Sequence, residues 1–289
     1  MYKHASRAIH LLLLVLFIVL FGTCGSSIYF VNNELKLTTA ATLTDTPMLS
    51  VHPTLDTVAE TGWSLLRPGL EQRTYPIYND QNQQVESVHI WRLDQNYFRM
   101  DVAYDQTPKS LETWQRQTNA LIVVNGGFYS IENERYFPDG LTIVNGVASG
   151  RSFNSFAGML AITASWTQLR WLAQKPYDSY EPLQAALQSF PVLVQPGGKL
   201  GFGAERENNV SARRTVIGQD KDGRILFIVA PQGYFTLHQL SVYLTESNLN
   251  LDIAINLDGG GSTGILVANP YEIIPPNRPL PFVILVYAR

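Results

Sequence analysis

The stretch Ile255–Thr263 reads I-N-L-D-G-G-G-S-T and holds residue types that act on sugars and phosphates. A strand sends successive side chains to opposite sides, so Asn256 and Asp258 share one side and Leu257 takes the other. Gly259, Gly260, Gly261 and Ser262 follow, and backbone N–H groups in such a loop can form an anion-binding hollow. A carboxylate beside that hollow would repel a bound anion unless it had a chemical task. The plain alternative is a glycine-rich hairpin with an Asx turn at Asp258. A second stretch, Leu121–Tyr129, is an apolar run ending in Asn125, Gly126, Gly127, Phe128 and Tyr129. Asn125 offers both a donor and an acceptor, the glycines allow close backbone approach to a ligand, and Phe128 or Tyr129 could stack on a sugar face. The third stretch is Arg213-Arg214 at the head of the apolar run Thr215–Gly218. Adjacent residues of a strand face opposite ways, so one arginine is solvated and the other could enter a site. Arginine stays charged and presents a planar fork that matches two phosphate oxygens.

Strands must carry these residues. Val85–Leu93 and Tyr97–Tyr104 alternate apolar and polar residues across Asp94-Gln95-Asn96, which predicts a hairpin. Leu141–Val144 and Val147–Ala148 flank Asn145-Gly146, a strong two-residue hairpin signal. Gly158–Ala164 and Leu169–Ala173 form a further pair, and Val192–Val194 runs into the turn Pro196-Gly197-Gly198. Arg214–Gly218 and Ile225–Ala230 flank Asp220–Gly223, again a hairpin, and Ile253–Asn256, Gly264–Val267 and Phe282–Tyr287 complete the strands. Helices are expected at Lys109–Gln117, at Glu181–Ser189 and at Thr236–Ser247. The last has Thr236 as a cap and a broad apolar stripe. The fold class is α+β, a strand-rich mixed-sheet domain with a few packed helices. Neither glycine motif matches a dinucleotide or nucleoside-triphosphate fingerprint.

Taken together, the segments resemble the phosphodiester glycosidase family over roughly Trp63 to Arg289. The resemblance rests on N-G-G-F at Asn125–Phe128, D-G-L-x-I-x-N-G at Asp139–Gly146 and P-V-L-V…G-G-K at Pro191–Lys199. R-T-x-I-G at Arg214–Gly218 and N-L-D-G-G-G-S at Asn256–Ser262 are its specific part. It implies a hydrolase that cleaves between a sugar's anomeric carbon and a phosphodiester. Arg214 would clamp the phosphate, helped by the amides around Gly259, Gly260 and Ser262. Asp258 would act as base for water, as nucleophile or as electrostatic partner of an oxocarbenium-like transition state. Asn125 and Asn256 would orient sugar hydroxyls, with Gly126, Gly127 and Phe128 lining the substrate. The chain departs from the family at Pro231-Gln232-Gly233, where an Asp-Gly-Arg-like turn is common. Two other readings compete: a non-catalytic envelope module that binds glycan, and a phosphodiesterase that cleaves the P–O bond. A second carboxylate is not singled out. Asp139, Glu132 and Glu134 lie near the first motif, and Asp139 reads as a turn residue before Gly140.

The 289 residues suffice for a large core without staples. The formal charge of −3 argues against a nucleic-acid partner. One cysteine cannot form an internal disulfide, and the histidines at 4, 10, 52, 89 and 238 show no ligand spacing, so neither metal nor cofactor is expected. His238 stands in a predicted helix with no recognisable relation to Ser262, which disfavours a Ser/His/Asp hydrolase. Lys3, His4 and Arg7 precede the unbroken apolar run Leu11–Phe21. Residues 1–31 therefore read as a signal peptide or signal anchor, 32–60 as a flexible linker, and 61–289 as the functional domain. Three fates compete: cleavage near Gly25, retention in the membrane and lipidation at Cys24. All place the protein outside the cytoplasm, secreted or membrane-anchored through its N-terminal segment.

Overall fold

A computed structural model of the chain describes residues 27–31, 34–38 and 62–289. Ser27–Val31 pairs antiparallel with Glu34–Thr38 as a small hairpin within the stretch read as leader and linker. The apolar run Leu11–Phe21, Cys24 and most of the linker lie outside the described residues. Among the described residues no helix is long and apolar enough to cross a membrane.

The body from residue 62 onward is built on three antiparallel sheets. The largest has eight strands. Arg214–Asp220 lies between Leu251–Asn256 and Ile225–Ala230, and Gln84–Leu93, Leu70–Tyr78 and Ser64–Arg67 extend it beyond the latter. Val192–Gln195 and Lys199–Leu200 extend the other edge. A five-stranded sheet centres on Ile122–Asn125, flanked by Ile265–Ala268 and Leu280–Ala288. A second centres on Ala185–Ser189, flanked by Thr142–Val144 and Gly158–Ile162. The three meet in one core, to which they contribute Trp91 and Phe227, Val124 and Ile284, and Leu160 and Leu187 respectively. The strand Ile225–Ala230 shows why this holds. Ile225, Phe227 and Val229 enter the central core, while Leu226, Ile228 and Ala230 pack on the opposite face. The period of two is intact, and both faces are buried, which gives a continuous apolar run.

Two helices close outer faces. Leu237–Glu246 covers the large sheet with Leu240, Tyr243 and Leu244. Its start is fixed by a capping box: Thr236 accepts from the Gln239 N–H and Gln239 returns the bond to the Thr236 N–H. Leu111–Thr118 covers the first five-stranded sheet and fastens it through Trp114 Nε1, which donates to Leu280 O at 2.9 Å.

Two expectations are corrected. Glu181–Ser189 is not a helix; Ala185–Ser189 is a strand whose five residues are all buried. A strand covered on both faces loses its alternation, and the spacing of Leu183, Ala186 and Leu187 then imitates a helical stripe. The segments Gln84–Leu93 and Phe98–Lys109 do not pair as a hairpin. The first pairs with Leu70–Tyr78 and Ile225–Ala230, the second with Leu280–Ala288. After Leu93 the Asp94 N–H bonds to Gly69 O, and the chain crosses from one sheet to the other with Leu93 and Phe98 both in the central core. Hairpins do form at Asn145-Gly146, between Gly158–Ile162 and Thr167–Trp171, and between Arg214–Asp220 and Ile225–Ala230. Asn145 and Gly146 both take positive φ, as a two-residue turn of this type requires.

Candidate active site

Arg214 and Asp258 line one cleft of about 350 Å³, together with Phe128, Tyr129, Gly259, Gly260, Gly261, Ser262 and Arg278. Strand order explains the meeting. Arg214 opens the strand that lies beside Leu251–Asn256, and Asp258 follows that neighbouring strand by two residues. Leu257 N–H bonds to Thr215 O at 2.9 Å, which carries the ladder one step past the strand end.

The Arg214 side chain is 9 % exposed and held as a fork. Nε donates to Phe235 O at 3.2 Å and Nη2 to Val210 O at 2.7 Å, and neither leaves its plane free to swing. Burial lowers its pKa and the Glu207 carboxylate opposes that, but a guanidinium remains charged throughout the physiological range. Nη1 has no hydrogen-bond partner among the described residues. Glu207 is itself fastened to the start of the helix Leu237–Glu246, accepting from the His238 N–H at 2.6 Å. Burial disfavours its charge, and hydrogen bonds from Thr236 and from the backbone of His238, Asn209 and Asn208 outweigh it, so its carboxyl is held below the usual range.

Glu86 braces the turn that precedes Phe235. It is buried, and its two oxygens accept the N–H groups of Gln232, Gly233 and Tyr234 at 3.0, 3.0 and 3.2 Å, with Ser87 N–H as a fourth donor. This carboxylate occupies the amides of the Pro231-Gln232-Gly233 turn and so fixes the approach to Phe235, whose carbonyl holds Arg214. Glu86→Gln turns one of the two acceptors into a donor facing N–H groups. We expect a loss of about 1.5–3 kcal/mol, measured by denaturant unfolding, with a raised KM.

Asp258 is positioned through its backbone. Its N–H donates to Gly126 O at 3.0 Å and its carbonyl accepts from Asn125 Nδ2 at 2.7 Å. The carboxylate accepts the Gly259 N–H at 2.9 Å and faces the Ser262 side chain. Burial pushes its pKa up. Ser262, the Gly259 N–H and the charge of Arg278 pull it back, and Asp139 adds to the rise; the balance stays above the ordinary aspartate value. Asp139 is therefore an electrostatic neighbour of Asp258. Its N–H bonds to the carbonyl of the cleft residue Phe128 at 3.1 Å, which brings a second carboxylate to this region.

The glycine loop forms a single short turn, Gly260–Ser262. Gly259 N–H is spent on Asp258, Gly260 N–H on Arg213 O and Ser262 N–H on Gly259 O. The amides expected to greet an anion are thus mostly committed inside the loop. Gly261 N–H makes no such bond among the described residues. A Cβ on Gly261 would meet Arg278 Nε at 2.6 Å, so the bare glycine is the seat of that guanidinium.

Other expected site residues lie behind the cleft. Asn125 is 1 % exposed, and all its hydrogen-bonding capacity is used: Nδ2 on Asp258 O and Gly126 O, Oδ1 on Thr215 Oγ1 at 2.8 Å and Gly264 N–H at 3.0 Å. It ties the three motif segments together and has nothing left for a sugar hydroxyl. Gly126 is packed against Phe282, and Gly127 against Gln188 O, where a Cβ would come within 2.8 and 3.0 Å. Asn256 is buried, with Nδ2 donating to Phe190 O at 3.0 Å and Oδ1 unpartnered among the described residues. Phe128 does reach the cleft, stacked on Phe190 with ring centroids 4.5 Å apart. Arg213 is not the solvated twin of Arg214. Nη1 donates to Asn277 Oδ1 and Nη2 to Pro275 O, both at 2.8 Å.

His238 sits in the helix start with Nδ1 2.9 Å from Phe202 O. Among the described residues no group of three or more His, Cys, Asp or Glu could hold a metal ion. A larger cavity of about 470 Å³, lined by Arg99, Asp101, Thr163 and Arg289, holds neither Arg214 nor the glycine loop.

The phosphodiester glycosidase family model matches residues 118–287, which include all three motif segments. No curated protein sequence matches the chain. Among solved structures, the fold is similar to the catalytic domain of zebrafish N-acetylglucosamine-1-phosphodiester alpha-N-acetylglucosaminidase, auto-inhibited by its pro-peptide. That match has a TM-score of 0.62 and 19 % identity, covering 77 % of this chain and 85 % of that one. A hypothetical protein from Synechocystis matches with a TM-score of 0.55 and 11 % identity, over 92 % of this chain and 68 % of that one. At these identities the likeness is one of fold.

Proposed function

The chain belongs to the phosphodiester glycosidase family, and from that premise we propose that it hydrolyses the bond between a sugar's anomeric carbon and a phosphodiester. The observation that carries this reading is the shared cleft: a fixed guanidinium and a half-buried carboxylate face one hollow walled by glycines and two aromatic rings. Each part answers a need of that reaction. Arg214 binds the phosphate and stabilises the charge it gains as the C–O bond breaks. The departing group is a phosphate monoester with a second pKa near 6, so it leaves as an anion with little help from a general acid. Asp258 serves the reacting carbon, taking a proton from water or attacking directly, and in either geometry it must be ionised. Phe128 and Tyr129 give the sugar an apolar wall. Asn125 and Asn256 act from behind, holding the strand ends in place.

We also propose that the substrate is an envelope or extracellular glycan, supported by the basic flank and apolar run at the N-terminus of the sequence. The direct test offers the full-length protein a panel of glycosyl-1-phosphodiesters and measures release of reducing sugar. Release from at least one member is expected. Binding to such compounds without turnover would favour a glycan-binding module instead.

The raised pKa of Asp258 sets the pH dependence. The acid limb of kcat/KM is expected above the ordinary aspartate pKa of about 3.9, because protonated Asp258 is inactive and burial favours the proton. Asp258→Asn should remove that limb from whatever residual rate remains.

A further inference from the structure

We propose that Arg278 is the second arm of the phosphate clamp, and that Gly261 is glycine so that this arm can rest on it. The inference rests on the phosphodiester reading above. Arg278 lies on the loop before the strand Leu280–Ala288 and is exposed. It lines the same cleft as Arg214 and Asp258, and its guanidinium has no hydrogen-bond partner among the described residues.

Its placement is built. Asn277 N–H donates to Gly261 O at 2.8 Å, and Arg213 grips Asn277 Oδ1 and Pro275 O. The loop that bears Arg278 is thus pinned to the glycine turn on one side and to Arg213 on the other. The side chain then lies across Gly261. A Cβ there would stand 2.6 Å from Nε, 2.8 Å from Nη2 and 3.0 Å from Cζ. Such a methyl group would displace the guanidinium, because the end of a long side chain moves more easily than backbone.

The two arms differ in a way that suits a reaction with an anionic product. Arg214 is buried and tied to two carbonyls, so it holds the phosphate in one place. Arg278 is exposed and untied, so it can close on the phosphate and let it go. Among the residues that line the cleft, two guanidiniums face one carboxylate, Asp258, while Asp139 and Glu207 act on them from outside that lining, so the contact surface itself fits a phosphodiester monoanion and, more strongly, the monoester formed from it. A guanidinium–phosphate contact also offers paired N–H donors.

The test is binding of inorganic phosphate to the full-length protein by titration calorimetry, with folding checked by circular dichroism. Wild type should bind. Arg278→Ala and Gly261→Ala should each weaken binding by about tenfold to a hundredfold, the range for losing one charge-assisted contact. The double variant should be no weaker than Arg278→Ala, since both remove one contact. Arg278→Ala should also shift the acid limb of kcat/KM upward, because Arg278 lowers the pKa of Asp258. Phosphate binding that survives Arg278→Ala but is lost in Arg214→Ala overturns this proposal and leaves the phosphodiester reading standing. Full-strength binding by Gly261→Ala, or an additive double variant, overturns the seat. Absence of phosphate binding in wild type overturns both readings.

Discussion

Asp258→Asn is expected to cut turnover by about a hundredfold to ten-thousandfold while leaving the protein at least as stable as wild type. The kinetic loss follows from removing the only carboxylate among the residues lining the cleft, whether it serves as base or as nucleophile. The stability follows from linkage. Burial raises the pKa of Asp258 in the folded state, so its charge opposes folding. That penalty is present at neutral pH and is relieved as pH falls through the folded-state pKa. Asparagine carries no such penalty and keeps an oxygen for the Gly259 N–H. Thermal melts at pH 7 should therefore show an equal or higher Tm for the variant, with the difference vanishing well below pH 4. A folded variant with near-normal kcat would remove Asp258 from the mechanism, and a variant that unfolds would make it a structural residue.

Arg214→Ala is the second large effect. Losing one donor aimed at developing charge typically lowers kcat by about 10²–10³-fold. The loss should appear in kcat as well as KM, because phosphate charge grows as the bond breaks. The substitution also strips Phe235 O and Val210 O of donors and leaves Glu207 without its nearby cation. A stability cost of about 1–3 kcal/mol is expected, read by denaturant unfolding. Arg214→Lys distinguishes charge from geometry. A single ammonium cannot reach both carbonyls and still face the cleft as a planar fork does, so lysine should recover little of the rate. Full recovery by lysine would reduce Arg214 to a point charge.

Much of this was legible from residue order. The strand pair at Arg214–Asp220 and Ile225–Ala230, the capped helix at Thr236 and the Asn145-Gly146 turn all follow from local rules, because each depends on neighbours in sequence. The meeting of Arg214 with Asp258 was inferred from family likeness, and adjacent strands deliver it. What sequence missed depends on contacts across long separations. The strand Ala185–Ser189 looked helical because the sheet buries both its faces. Asn125 looked like a sugar ligand, but its donors and acceptors reach Thr215, Asp258 and Gly264. Arg278 carries no local signal at all. It stands in a proline-rich loop, and only the bare face of Gly261 shows what it rests on. From sequence alone Gly261 takes a place in an anion-binding hollow of backbone amides, whereas its missing side chain makes room for a guanidinium.

The most direct measurement follows the oxygen of water. Hydrolysis of a glycosyl-1-phosphodiester by the full-length protein in oxygen-18 water, with mass analysis of the phosphate monoester released, reports which bond breaks. Cleavage at the anomeric carbon leaves the monoester unlabelled, and that is the result predicted here. An atom of oxygen-18 in the monoester would mean attack at phosphorus, and would contradict the assignment of Asp258 to the sugar and Arg214 to the leaving group.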